Sequence, residues 1–213
     1  MKKTLLIVIV TACCLQTTVF AQKPGVGIFG GITQSNMHGK TGGVTDKGSN
    51  ITGFTFGMLV DAPIKKLHLS FQPTIQYAQK GMVTSKTHDS KSYVALHYAE
   101  ALLNFVYHSK SKNGHVFVGL GPSLGVPVPS KKVTKTGSAR SETTLVFGKE
   151  PIADYRSLDY GAHFMGGYAF RKGLFISVNY TLGIRNILPG DNPVDELRNG
   201  SLALKVGWLV NNK

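Results

Sequence analysis

Hydrophobic and polar residues alternate with a period of two along much of the chain. In residues 67–78 the odd positions hold Leu, Phe, Pro, Ile and Tyr, and the even positions hold mainly His, Ser, Gln and Thr. Because successive side chains of a β-strand point to opposite faces, this segment predicts a strand with one apolar and one polar face. The same alternation predicts four more strands, at residues 52–61, 115–126, 174–185 and 202–210.

Weaker alternation in residues 26–36 and 159–170 predicts two further strands. An eighth segment, residues 93–108, is ambiguous. Its polar residues from His97 to His108 recur at spacings of three and four, which also fits the polar stripe of an amphipathic helix. We predict a strand there, because bacterial single-chain barrels have an even number of strands.

The connections between these segments indicate the architecture. Short and long connections alternate along the whole series, with the shortest at residues 171–173 and the longest at residues 127–157. Up-and-down barrels of the outer membrane have short periplasmic turns and longer external loops. A soluble barrel would need an apolar interior, whereas the second face here is rich in Gly, Ser, Thr, Gln and Asn. We therefore predict an all-β fold, an eight-stranded antiparallel up-and-down transmembrane β-barrel with both termini periplasmic.

Residues 1–21 predict a cleavable signal peptide. Lys2 and Lys3 precede an apolar stretch, and residues 19–21 (Val-Phe-Ala) have the small-residue pattern of a cleavage site. The apolar stretch is shorter than the roughly 20 residues of a membrane-spanning helix, which argues against an uncleaved anchor. A lipoprotein signal ending at Cys13 is the other alternative. Export to the outer membrane is the prediction that follows.

The remainder, residues 22–213, is the predicted barrel domain. Both cysteines, Cys13 and Cys14, precede it, so disulfides and thiol chemistry are excluded from the domain. The chain has 24 Lys and Arg against 11 Asp and Glu, a net charge of +13. For an exported protein without a nucleic-acid-binding motif, this charge favours contact with anionic lipid and argues against nucleic acid.

Five segments of this domain resemble the PorT-like family of outer-membrane β-barrel proteins. They are VGIFGGITQSN (26–36), LHLSFQPTIQYAQKG (67–81), VFVGLGPSLGV (116–126), SVNYTLGIRNI (177–187) and LALKVGWLV (202–210). The resemblance implies an exported eight-stranded barrel. It also admits a part in protein secretion, with a periplasmic or secretion-machinery protein as the partner.

Eight strands enclose a lumen that side chains fill, whereas open porins have about 16 to 18 strands, so we do not expect general diffusion. The ionisable residues on the predicted inward faces are Asp61, Glu100, Asp159, His163, Arg185 and Lys205. If the turn at residues 171–173 pairs Phe170 with Leu174, Asp159 lies opposite Arg185. We predict a structural ion pair between them, with a proton or ion path as the alternative.

Glu100 and Lys205 are the mid-strand charges and are candidates for a second lumen pair. The long connection at residues 127–157 is predicted to form an external hairpin with a candidate binding surface. The basic residues of that surface are Lys131, Lys132, Lys135 and Arg140.

No catalytic residues, cofactor site or metal site are predicted. His97 and Glu100 have a spacing that could supply two metal ligands on a helix, but on a strand they face opposite sides. We predict a structural or interaction barrel that is not an enzyme. The alternative is a small-molecule binding or transport barrel that uses its external loops. A hydrolytic barrel is a third hypothesis, and it requires a nucleophile that the pattern does not reveal.

Overall fold

A computed structural model describes residues 24–41, 44–64, 67–87, 90–109, 113–150, 152–190 and 195–210. It contains ten β-strands: β1 (Gly25–Thr41), β2 (Val44–Lys47), β3 (Ile51–Ile64), β4 (Leu69–Lys86), β5 (Ser90–His108), β6 (Gly114–Thr136), β7 (Ala139–Thr144), β8 (Asp159–Phe170), β9 (Leu174–Gly183) and β10 (Glu196–Val210). The predicted signal peptide lies outside the described residues. Within the described ranges, no helix is long and apolar enough to cross a membrane.

Eight of these strands form a closed antiparallel ring. Its order is β1, β3, β4, β5, β6, β8, β9 and β10, and β10 pairs with β1 to close it. Closure gives both edges of the sheet a hydrogen-bonding partner, as a hydrocarbon environment requires. The remaining strands, β2 and β7, pair with the outer parts of β1 and β6. The predicted eight-stranded antiparallel barrel is confirmed.

All eight predicted segments lie in strands of the ring. The ambiguous segment, residues 93–108, lies within β5, so the helical alternative is wrong. Several predicted boundaries are wrong, including the end of the strand predicted at residues 115–126, which continues to Thr136. The strand predicted at residues 67–78 begins at Leu69 and continues to Lys86, and the strand predicted to end at Arg185 ends at Gly183.

The two faces of the ring differ as the alternation predicts. On the outside, Ile75, Ile28 and Leu120 expose 66%, 62% and 61% of their surface. The inward neighbour of Ile75, Gln76, exposes 6%. A continuous apolar exterior around a polar interior is the arrangement that lipid stabilises and that water does not. The predicted sidedness of the strands is confirmed.

The two ends of the barrel are unlike. At one end, here called the short-turn end, lie the connections β3–β4, β5–β6 and β8–β9, the start of β1 and the end of β10. At the other, the extended end, β4, β5 and β6 reach 18, 19 and 23 residues. About 9 to 11 residues suffice to cross an outer membrane, so these strands continue beyond the bilayer.

An apolar cluster fills the lumen towards the extended end. Its fully buried members include Met37, Leu96 and Tyr98 from strands and Ile187 from the β9–β10 connection. Leu145, which follows β7, packs into the same cluster. The Arg156 backbone N–H, between β7 and β8, donates to the Ile187 carbonyl at 2.8 Å. This bond links the β7–β8 connection to the β9–β10 connection.

Candidate functional site in the barrel lumen

Four buried charged side chains meet near the middle of the lumen. Lys80 on β4 places its Nζ 2.6 Å from Oε1 of Glu100 on β5 and 3.7 Å from Oδ2 of Asp159 on β8. The inward positions of three strands thus converge on one ammonium group. In a space that excludes water, the attraction within a buried ion pair offsets the desolvation penalty only when the geometry is good and further hydrogen bonds stabilise the charges.

Gln76 supplies part of that capacity and brings in the fourth charge. Its Nε2 donates to Glu100 Oε2 at 2.6 Å, and its Oε1 accepts from Lys205 Nζ at 2.7 Å. The predicted meeting of Glu100 and Lys205 is therefore indirect, through the Gln76 amide. Two lysines and two carboxylates make this group, which we call the lumen ion cluster, electrically neutral.

Asp159 is not paired with Arg185, so the predicted ion pair between them is wrong. The register behind the prediction is right, because Gly161 pairs with Gly183 and Ala169 with Phe175. However, β9 ends at Gly183, and the chain then leaves the sheet. The Arg185 guanidinium consequently lies over the ring of Tyr160, 5.4 Å from its centroid.

Within the cluster, Asp159 has two partners. Asn199 Nδ2 donates to Asp159 Oδ2 at 2.8 Å, and Lys80 is the nearby cation. Lys80 was not among the predicted lumen residues, because the alternation predicted a strand that ends at residue 78. The alternation itself could have indicated Lys80, because every second residue of β4 faces inward and Lys80 follows Gln76 and Ala78 in that series.

His163 also faces the lumen and is 1% exposed. It lies further along β8 than Asp159, towards the short-turn end. Its Nδ1 is 2.9 Å from Asn104 Oδ1, and its Nε2 has no hydrogen-bond partner among the described residues. Asp61, also predicted to face inward, is buried on β3 towards the short-turn end. Of the six predicted lumen residues, only Arg185 lies away from the interior.

The basic surface predicted at residues 127–157 forms a hairpin of β6 and β7 at the extended end, as expected. Lys131 Nζ is 2.6 Å from Glu142 Oε2, and Arg140 pairs with the other carboxylate oxygen. Hydrogen bonds from these two cations lower the pKa of Glu142. Lys132 and Lys135 are exposed beside them.

His97 and Glu100 lie on opposite faces of β5, as predicted for a strand. His97 contacts Tyr77 on the outside, whereas Glu100 belongs to the lumen ion cluster. In the described ranges, no group of three or more His, Asp or Glu side chains is arranged to hold a metal ion.

This arrangement defines a class of protein, a closed membrane barrel whose lumen holds an apolar cluster and a neutral ion cluster. Comparison with protein families gives a more specific assignment. Residues 20–188 match the family described as "Outer membrane protein beta-barrel domain". The chain belongs to this family and is an outer-membrane β-barrel protein.

Several solved structures are similar to the chain. Ail, the attachment invasion locus protein of Yersinia pestis, is 14% identical with a TM-score of 0.44, over 88% of this chain and 99% of Ail. Neisserial surface protein A is 13% identical with a TM-score of 0.44, again over 88% and 99%. The outer membrane protease OmpT from Escherichia coli is 6% identical with a TM-score of 0.32, over 91% and 98%. Among curated proteins, no relative matches the chain.

Proposed function

We propose that this barrel is a non-conducting, non-enzymatic anchor that presents the β6–β7 hairpin to a partner outside the membrane. The observation that carries the proposal is the content of the lumen. The buried Lys80–Glu100 pair and its neighbours occupy the middle, and the cluster around Tyr98 occupies the extended end. Side chains that fill the lumen in this way support a barrel without a continuous aqueous path.

The proposal includes an orientation and a processing step. The short-turn end faces the periplasm, because outer-membrane barrels have short periplasmic turns and long external loops. Residues 1–21 are removed after Ala21 during export. The resemblance to PorT-like proteins supports a partner connected with protein secretion.

Conductance in planar bilayers tests the closed lumen. We expect no steady current across a bilayer containing the refolded chain, with a 16-stranded porin as the positive control. A stable, voltage-independent conductance would contradict the anchor and favour a transport barrel.

Site-specific photo-crosslinking in intact cells tests the hairpin as a partner surface. A crosslinker at Lys132, which is exposed on the hairpin, should give a defined protein adduct. The matched control is Val206, which is 48% exposed on the outer face of β10 and should contact lipid. Adducts at neither position, or equal protein adducts at both, would contradict the proposed surface.

A further inference from the structure

A cavity of about 250 Å³ lies in the lumen at the short-turn end, separate from the lumen ion cluster. Its apolar wall includes four side chains on inward faces of the ring: Leu59, Phe117, Phe175 and Leu209. Its polar wall includes Asp61 and Gln72. Described residues of the adjoining connections, among them His68 and Gly173, also line the cavity.

Each of four adjacent strands contributes one residue to a hydrogen-bonded row beside this cavity. Ser70 Oγ on β4 donates to Asp61 Oδ1 on β3 at 2.5 Å and lies 2.8 Å from Nε2 of His108 on β5. His108 Nδ1 is 3.0 Å from Nε2 of His115 on β6. All four residues line the cavity.

The direction of these bonds determines what the row can do. A serine hydroxyl has one proton, and here Asp61 accepts it, so His108 Nε2 donates to Ser70 Oγ. The Nδ1 of His108 is then free to accept from His115 Nε2, and the whole row is satisfied with both rings neutral. A histidine that donates to the serine cannot take its proton, so the row is not arranged for nucleophilic catalysis.

Among the described residues, the buried carboxylate of Asp61 has no Lys or Arg partner. Within the described part of the chain, no Lys or Arg nitrogen lies within 4 Å of it, and His108 Nε2 is 3.8 Å from Oδ1. The hydrogen bonds from Ser70 and Gln72 both go to Oδ1. Among the described side chains, none donates a hydrogen bond to Oδ2.

One acceptor in the same cavity wall is buried and unsatisfied within the described part of the chain. Gln72 is 7% exposed, its Nε2 donates to Asp61 Oδ1 at 3.3 Å, and its Oε1 has no hydrogen-bond partner among the described residues. A buried acceptor without a donor is destabilising, so a ligand that donates hydrogen bonds there would be stabilised.

We propose that this cavity binds a small organic ammonium ion with an apolar body. An ammonium group has three donors and a positive charge, which match Asp61 Oδ2 and Gln72 Oε1. The apolar body would pack against Leu59, Phe117 and Phe175. An engineered apolar cavity of about 150 Å³ holds benzene, so this cavity has room for one ring with a short aminoalkyl arm.

Isothermal titration calorimetry with 2-phenylethylammonium chloride tests the proposal on the refolded chain in non-ionic detergent micelles. We expect saturable binding with a stoichiometry of one. The uncharged analogue 2-phenylethanol should bind at least about tenfold more weakly, since it lacks the charge-assisted bond. Absence of saturable binding, or equal affinity for the two probes, would overturn the proposal.

Three variants locate the binding. Asp61→Asn should weaken the affinity by at least about tenfold, whereas Glu196→Gln, which removes an exposed carboxylate at the extended end, should leave it unchanged. Ala169→Leu keeps Asp61 but fills the cavity, and should abolish binding even if Asp61→Asn does not fold. Heat-modifiable migration in gels verifies folding of each variant. Wild-type affinity in a folded Asp61→Asn or Ala169→Leu protein would overturn the proposal.

Discussion

Lys80 is the residue on which the charge balance of the lumen depends. Its ammonium lies between two carboxylates that are themselves 2% and 4% exposed. Desolvating these charges is unfavourable, and their mutual attraction offsets that penalty only while both signs are present. The neutrality of the cluster therefore matters more to stability than any one of its hydrogen bonds.

Replacing Lys80 with Met should be strongly destabilising. The change leaves Glu100 and Asp159 buried with one nearby cation, Lys205, instead of two. We expect the free energy of unfolding to fall by about 3 to 5 kcal/mol, measured by urea titration in lipid vesicles.

The double variant Lys80→Met/Glu100→Gln is the matched control for that experiment. It removes one charge of each sign and keeps the cluster neutral, so it should be more stable than Lys80→Met alone. A double variant that is as unstable as the single one, or a single variant as stable as the wild type, would contradict the role assigned to charge balance.

The seam between β1 and β10 closes the ring and depends on the absence of a side chain at Gly31. A Cβ atom there would lie 2.2 Å from the Leu204 carbonyl oxygen and 2.9 Å from the Lys205 Cα. Both are backbone atoms, so the two strands would have to separate. At Gly30, the adjacent residue on the outer face, a Cβ atom would meet nothing within 4 Å.

These two glycines give a matched pair of substitutions. Gly31→Ala should lower the free energy of unfolding by about 1 to 3 kcal/mol, because the seam must open to admit a methyl group. Gly30→Ala should change it by less than about 1 kcal/mol. Equal effects in vesicle unfolding experiments would show that close packing at the seam is unimportant.

The strands were predictable from sequence where lipid lies on one side and the lumen on the other. There, the period of two is enforced by both environments, as in β9 and β10. Beyond the bilayer this constraint disappears, which explains why β4 and β6 extend further than the alternation indicates. The end of β9 at Gly183 could not be predicted either, because the alternation continues to Arg185. Arg185 lies outside the lumen for this reason.

The lumen residues were predictable in orientation but not in partnership. The alternation of inward and outward positions placed Glu100, Asp159 and Lys205 inside the barrel, and all three are buried there. Their contacts, however, depend on the stagger of strands that are distant in sequence, such as β4 and β10. The hydrogen-bonded row from Asp61 to His115 could not be predicted for the same reason. It depends on the registers of four strands and on the side-chain rotamers.

For the whole molecule, the central claim is that the apolar face of every ring strand contacts lipid and the polar face encloses the lumen. The single tryptophan of the chain, Trp208, tests this claim without any substitution. It is 46% exposed on the outer face of β10, opposite Leu174 and close to the short-turn end. Phe175, on the inner face of β9, is 7% exposed and provides a lumen position for comparison.

Fluorescence quenching by brominated phospholipids is the most direct measurement. We predict that lipids brominated near the glycerol end of the acyl chain strongly quench Trp208, and that aqueous acrylamide does not. In the variant Trp208→Phe/Phe175→Trp, the tryptophan faces the lumen and brominated lipid should leave its emission nearly unchanged. Quenching of the lumen tryptophan by lipid, with Trp208 accessible only to acrylamide, would contradict the account.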